Sequence, residues 1–533
     1  MAHYRDFITT DDHSYNVFCA LRYCMENGDN SLVFEKGRYD FYGEMASQTF
    51  ISVSNHGINN LEKIVFMIKN MKNFTVDGGG SEFVFHGAIM PFALIGSENI
   101  CLKNFSIDYE NAMTLVGETV FAGGDCIKVR IDEDLRWYIS DKKLYSVDCC
   151  GNAAPYLYMH IKGPYRRMNY SHEARDIFSK DISFDTENGL LCVNNTGIEI
   201  PAGECVMFTP AARMAADIFI DGGNDTGIEN VTLYRSYGMG LIAQKTKNVS
   251  VKCMTVCAKQ GRHLSLAADC THFVNCRGKI EVCDSVFENQ FDDALNIHGI
   301  FNKITAKGDD FILVKYMHND TKGIDIYENG GHFQVLDNET LIPHSRYTVK
   351  KIEKINIEYT KIYTEERTDK INVGDLTEDI TYKTELLFKN NIVRNNRGRG
   401  MLIASKGKTV ICENKFSGPG AAILFESDGK RWYESGGTEE VVICENTFDG
   451  CLFGSADNWG DAVIDVKPRE RFDGENYYHK YIEVSKNHFI GGEKTLFSAD
   501  NAESVVFKQN MIENQIGKTV EFKNCKKIIC DSK

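Results

Sequence analysis

Asn289-Gln290-Phe291-Asp292-Asp293-Ala294-Leu295-Asn296-Ile297-His298-Gly299 places two adjacent carboxylates, amides and an imidazole among apolar, strand-forming residues. A third carboxylate, Asp269, lies 24 residues before Asp293 (293 − 269 = 24). Successive strand residues point to opposite faces, so Asp292 and Asp293 share a site only at a bulge or turn. The Gln-Phe-Asp-Asp-Ala break between strand-like runs at 280–287 and 295–297 offers one. Three readings stand side by side at this point. Asp-Asp is a common solvated turn. Clustered carboxylates favour a hard divalent cation. A carboxylic acid and a carboxylate on either side of a glycosidic bond can protonate its oxygen and activate water.

The elements that must position these residues repeat. Ile411-Cys412-Glu413-Asn414-Lys415-Phe416, Ile443-Cys444-Glu445-Asn446-Thr447-Phe448 and Val484-Ser485-Lys486-Asn487-His488-Phe489 share one template. Looser copies surround Asn390 and Asn510. The asparagines are spaced 24, 32, 41 and 23 residues apart, a base period of about 24 with insertions. Units of four to six β-forming residues at that period predict a β-solenoid, with the core supplied by stacking. The fold expected is all-β: a right-handed parallel β-helix with two inserted antiparallel, barrel-like modules. The boundaries read as 1–111 for a cap and first coils, 112–215 for one insert and 216–302 for coils carrying the aspartates. The second insert is 303–384, and 385–533 completes the coils. Helical spacing over Tyr15–Cys24 predicts a helix covering the open end, which otherwise exposes an apolar cross-section. If one coil is about 24 residues, Asp269 sits one rung, about 4.8 Å, from Asp293. Carboxylates that close repel, so a pKa must rise or a cation must bind.

The 533 residues carry a net charge of −15, which argues against a nucleic-acid partner. No run of about 18 apolar residues predicts a membrane span. The start, Met1-Ala2-His3-Tyr4-Arg5-Asp6, lacks an apolar signal core. The expected location is therefore cytoplasmic, or secreted or periplasmic if a leader was trimmed. The 18 cysteines are scattered without a CxxC pair and read as reduced core thiols rather than a disulfide framework. No zinc-ligand spacing occurs. Gly407-Lys408-Thr409 is not a phosphate loop, because Leu402 stands where the first glycine is needed.

Ala268–Gly278 followed by Asn289–Gly299 resembles glycoside hydrolase family 110. Gly79–Gly87, Phe219–Val231 and Trp432–Gly436 carry the same resemblance, which spans most of the chain, both inserts included. The resemblance implies an inverting α-1,3-galactosidase on a β-helix core, acting on blood-group B-type or linear α-1,3-galactosides. It implies no metal and no cofactor, and a galactose-terminated glycan as partner. A homo-oligomer is left open. The family's catalytic aspartates fall on Asp269, Asp292 and Asp293. By similarity to polygalacturonases, Asp292 is the general acid, with Asp269 and Asp293 as the base pair. Phe291 departs from the small or aliphatic residue expected there and would narrow the pocket. Polygalacturonase-like activity or a non-catalytic carbohydrate-binding β-helix are the alternatives.

Six further residues are candidate substrate contacts. Trp432 offers a stacking face for galactose. Arg262 lies shortly before Asp269 and offers a hydroxyl clamp. Asn296 and His298 follow the aspartate pair on one strand face. Glu426 and Arg399 occupy later polar loops. Each has a structural alternative: a core aromatic, a surface ion pair, a satisfied core histidine or a solvated turn.

Overall fold

The structure is a computed structural model and describes the chain except residues 112, 124–125, 165–174, 178–181, 198–199, 211–212, 455–458, 469 and 532–533. Short strands run in parallel register from coil to coil. One face stacks Ile218–Asp221, Leu241–Gln244, Thr271–Val274, the start of Leu295–Lys307, Met401–Ile403, Ile423–Phe425 and Ala462–Val466. A second face stacks Asn224–Leu233, Lys247–Lys252, Arg277–Cys283, Thr384–Lys389, Lys408–Cys412, Glu440–Cys444 and His479–Ser485. A third stacks Val286–Glu288, Ile392–Arg394, Lys415–Ser417, Thr447–Asp449 and His488–Ile490. Alternate residues of all three faces point inward and merge into one apolar core.

The tight bend between the second and third faces explains the repeated asparagine. Asn391, Asn414, Asn446, Asn487 and Asn510 stack; the Oδ1 of each of the last four accepts from the backbone N–H and side-chain amide of the asparagine one coil earlier, at 2.8–3.1 Å, and Asn391 Oδ1 accepts from Ser285 N–H at 2.9 Å. The residue before each is left-handed: Asn390, Glu413, Glu445, Lys486 and Gln509 have φ of 54° to 60°. The first ladder member is therefore Asn391, not Asn390. Asn390 takes the left-handed position and donates to Asp284 at 2.6 Å. Inside the bend, Phe416, Phe448 and Phe489 stack at 5.3 and 4.8 Å between ring centroids.

The helix His13–Asn27, capped by Asp12 and ended at left-handed Gly28, buries Val17, Ala20, Leu21 and Cys24 against the first coils. Two antiparallel modules interrupt the coils. The first spans strands from Leu115–Gly123 to Glu204–Pro210, with its own apolar core. The second closes on itself. Leu295–Lys307 pairs with Phe311–Tyr316, and the order continues through Tyr359–Thr364, Pro343–Lys354, His332–Leu336 and Leu376–Asp379 back to Leu295–Lys307. Leu295–Lys307 thus begins as a coil rung and ends as a barrel strand. None of the 18 cysteines is disulfide-bonded. No helix among the described residues is long and apolar enough to cross a membrane.

Candidate active site

Thr271, Leu295 and Met401 are register partners at the starts of three stacked strands. Asp269, Asp293 and Arg399 each lie two residues before that start, so they occupy one position in three successive coils. The bend continues the ladder there: Cys270 N–H donates to Asp293 O at 2.9 Å, and Ala294 N–H to Gly400 O at 2.8 Å. Asp292 sits where the strand alternation has ended. One oxygen from each of Asp269, Asp292 and Asp293 can be chosen so that all lie within 4.8 Å of one another.

The three carboxylates have different surroundings. Asp293 is wholly buried and takes a bidentate pair from Arg399, Nε to Oδ1 at 3.0 Å and Nη2 to Oδ2 at 2.9 Å. Burial raises its pKa and Arg399 opposes the rise; with both oxygens accepting from the guanidinium, Asp293 is a carboxylate. Asp269 is also buried. Its Oδ1 accepts from Asp293 N–H at 3.3 Å, and its Oδ2 faces His272 Nδ1 at 2.8 Å. Burial, reinforced by Asp292, pushes the Asp269 carboxyl up to about 8, against the pull of Arg213 and Arg399. Asp292 alone is partly exposed, with Arg213 Nη2 at 3.4 Å from its Oδ2. Its wall is formed by Gly398, whose φ is +82°. A Cβ at Gly398 would stand 3.8 Å from Asp292 Oδ1 and 3.6 Å from Trp459 Nε1. Three oxygens so spaced would also suit a hard cation, but Arg399 and Arg213 already supply compensating charge.

Asn296 pairs in register with His272 on the outward face, next to the aspartates. Its Oδ1 is buried and accepts no hydrogen bond among the described residues. His298 is buried; its Nε2 lies 3.1 Å from His272 Nε2, and its Nδ1 donates to Gly299 O at 2.7 Å. Glu426 follows Ile423–Phe425 and acts electrostatically on Arg399. Trp432 is partly exposed and packs on His318 of the barrel, with ring centroids 4.8 Å apart. Its neighbour Tyr433 is buried with Phe301 and Tyr478.

Three expectations change. Arg262 donates to Asp108 at 2.6 Å beside Lys259, so its guanidinium is turned to that carboxylate instead of a sugar. Arg399 binds Asp293 with both nitrogens, which makes it a carboxylate partner and not a free substrate clamp. Phe291 does not narrow the pocket. It is buried against Tyr158, His160 and Arg397 and seats the first module on the coils. His272, Arg213, Glu434 and Trp459 escaped the sequence reading. For His272 a signal existed, because it precedes Asn296 by the same 24 residues that separate Asp269 from Asp293.

The geometry meets known proteins at this point. Residues 311–376 match the model of GLAA-B beta-barrel domain II. Alpha-1,3-galactosidase B of Phocaeicola vulgatus is 30% identical over 512 residues, covering 90% of this chain and 85% of the relative. The chain belongs to the α-1,3-galactosidase family, glycoside hydrolase family 110. Within this family, alpha-1,3-galactosidase A of Shewanella woodyi is 27% identical over 513 residues, covering 94% of this chain and 83% of the relative. Among solved structures, an exopolygalacturonase from Thermotoga maritima overlays with a TM-score of 0.43 at 11% identity, over 99% of this chain and 91% of that one.

Proposed function

We propose that this chain is an exo-acting, inverting galactosidase that removes terminal α-1,3-linked galactose from blood-group B-type or linear glycans. The observation that carries the chemistry is the cluster of three carboxylates in unequal surroundings, on the coils of a family whose named members are α-1,3-galactosidases. The coils are read as winding right-handed, the hand of nearly all crossovers between parallel strands.

Asp292, partly exposed, is the proposed general acid. It protonates the glycosidic oxygen as the bond to C1 breaks. Water held between Asp269 and Asp293 attacks C1 from the opposite side and yields its proton to Asp269. Asp293 orients the water, its own charge fixed by Arg399. Inversion is the course the family resemblance implies, and the hydrogen bonds already made by both buried aspartates weaken them as nucleophiles while leaving lone pairs that hold water. Both Asp293 oxygens accept from Arg399, and both Asp269 oxygens face donors or His272. The exposed Trp432 face is the proposed sugar contact, Asn296 packs behind the aspartates, and Glu426 tunes Arg399.

Release of galactose from an α-1,3-linked digalactoside and from the branched B trisaccharide tests the reading. Asp292→Asn is expected to lower kcat by about 10²–10⁴-fold with the circular dichroism spectrum and galactose binding retained. Near-normal turnover by that variant would remove Asp292 from the acid role. No release from either substrate by the wild type would remove the activity itself.

A further inference from the structure

Three contacts run in a line outward from Asp269. Its Oδ2 faces His272 Nδ1 at 2.8 Å; His272 Nε2 faces His298 Nε2 at 3.1 Å; His298 Nδ1 meets Gly299 O at 2.7 Å. A carbonyl only accepts, so His298 Nδ1 carries a proton. Two nitrogens at 3.1 Å need one proton between them, since facing lone pairs would repel. An imidazole nitrogen against a carboxyl oxygen at 2.8 Å needs another. Two neutral imidazoles bring two of these three protons. The third has three places to be. Asp269 is the carboxylic acid with both rings neutral, or Asp269 is the carboxylate and either His272 or His298 is the imidazolium. Burial disfavours charge on His272, which leaves His298, beside Glu434, as the charged ring. At the far end stands Glu434, whose Oε1 lies 3.6 Å from His298 Nε2. The antiparallel pairing of Ile300 with Glu434 and Gly299 with Ser435 fixes it there. Gly299 lets Ser435 pack close: a Cβ there would displace the Ser435 hydroxyl and stand 3.3 Å from Ser435 O.

We propose that His272, His298 and Glu434 form a proton relay that holds Asp269 in its base form, with Glu434 as the distant positioning residue. One proton passes from Asp269 Oδ2 to His272 Nδ1 as another passes from His272 Nε2 to His298 Nε2. Two bonds to hydrogen break and two form, and the line keeps its total charge. Glu434 stabilises the imidazolium so formed. Asn55 Nδ2, 3.4 Å from His272 Nε2, also favours that nitrogen as an acceptor. The relay answers a difficulty of the site, because burial on its own keeps Asp269 protonated at neutral pH and depresses His272 far below its ordinary value. The groups facing the line are Asp292 and Asp293 from the next coil, Arg399 from the one after, and Arg213. His56 faces it from the N-terminal hairpin and Glu434 from the 428–434 turn. This inference rests on Asp269 as base.

The test is Glu434→Gln, with His298→Gln as a second variant. Loss of the anion returns the proton to Asp269, so the acidic limb of the kcat–pH profile moves to higher pH. At pH 6, kcat is expected to fall by about tenfold, a part of the ~10²–10⁴ that acid–base catalysis supplies, with KM within about twofold. A change in KM alone, or an unmoved acidic limb in both variants, would overturn the relay while leaving the galactosidase reading intact. The relay also has a signature independent of turnover. In ¹⁵N-histidine-labelled wild type, a strongly downfield, exchange-protected imidazole N–H proton should couple two histidines and vanish in His298→Gln. Its absence from the wild type would sink the relay whatever the activity.

Discussion

At the residue scale, the site works by giving three identical side chains three environments. Arg399 is the least replaceable of their partners, because it is the bidentate cation for a wholly buried carboxylate. Removing one member of a buried ion pair costs about 3–5 kcal/mol, since the other charge is stranded. Arg399→Met should therefore lower unfolding free energy by about that much, read from urea denaturation, and abolish turnover. A stability loss within about 0.5 kcal/mol, the usual range for an ordinary surface substitution, would show that Asp293 is neutral in the fold. Type and spacing placed Asp269 beside the Asp292–Asp293 pair, and the structure brings the three together; their catalytic reading came from the family resemblance. The sequence did not disclose Arg399 as their partner, because the two are separated by 106 residues (399 − 293) that enclose a whole barrel. Glu434 was hidden for the same reason: no local pattern links a turn residue to a histidine 136 positions earlier (434 − 298).

At the element scale, the rung is the unit that places the chemistry. A parallel coil puts residues one period apart in contact, which is why a 24-residue spacing brought Asp269 to Asp293 and His272 to Asn296. The template around Asn414, Asn446 and Asn487 was equally legible, and its physical basis is the amide ladder at the bend. The first copy was misread by one residue, Asn390 for Asn391. Both are asparagine, and left-handed backbone and amide stacking each favour that residue type. Asn446 both accepts from Asn414 and donates to Asn487 Oδ1 and Ile411 O. Asn446→Ala should cost about 1–3 kcal/mol by leaving buried groups unsatisfied, while kcat stays within twofold of wild type, because the ladder lies at a different bend from the aspartates. A fall in kcat with unchanged denaturation midpoint would contradict that separation of roles.

At the scale of the whole molecule, the coils share one continuous apolar core and the inserts build upon them. The strand Leu295–Lys307 runs from the rung beside the aspartates directly into the second barrel, so the barrel is continuous with the candidate site and not tethered beside it. Phe291, one residue before the aspartate pair, anchors the first module in the same way. Broken rhythm in the sequence announced both inserts as barrel-like modules; the strand order that closes the second, first strand against last, carried no sequence signal. On the proposed inverting course, this frame delivers water, not a carboxylate, to the sugar. Proton NMR of the first galactose released from an α-1,3-linked digalactoside tests it most directly. β-Galactose appearing first, then mutarotating, is the expected result; α-galactose appearing first would contradict it.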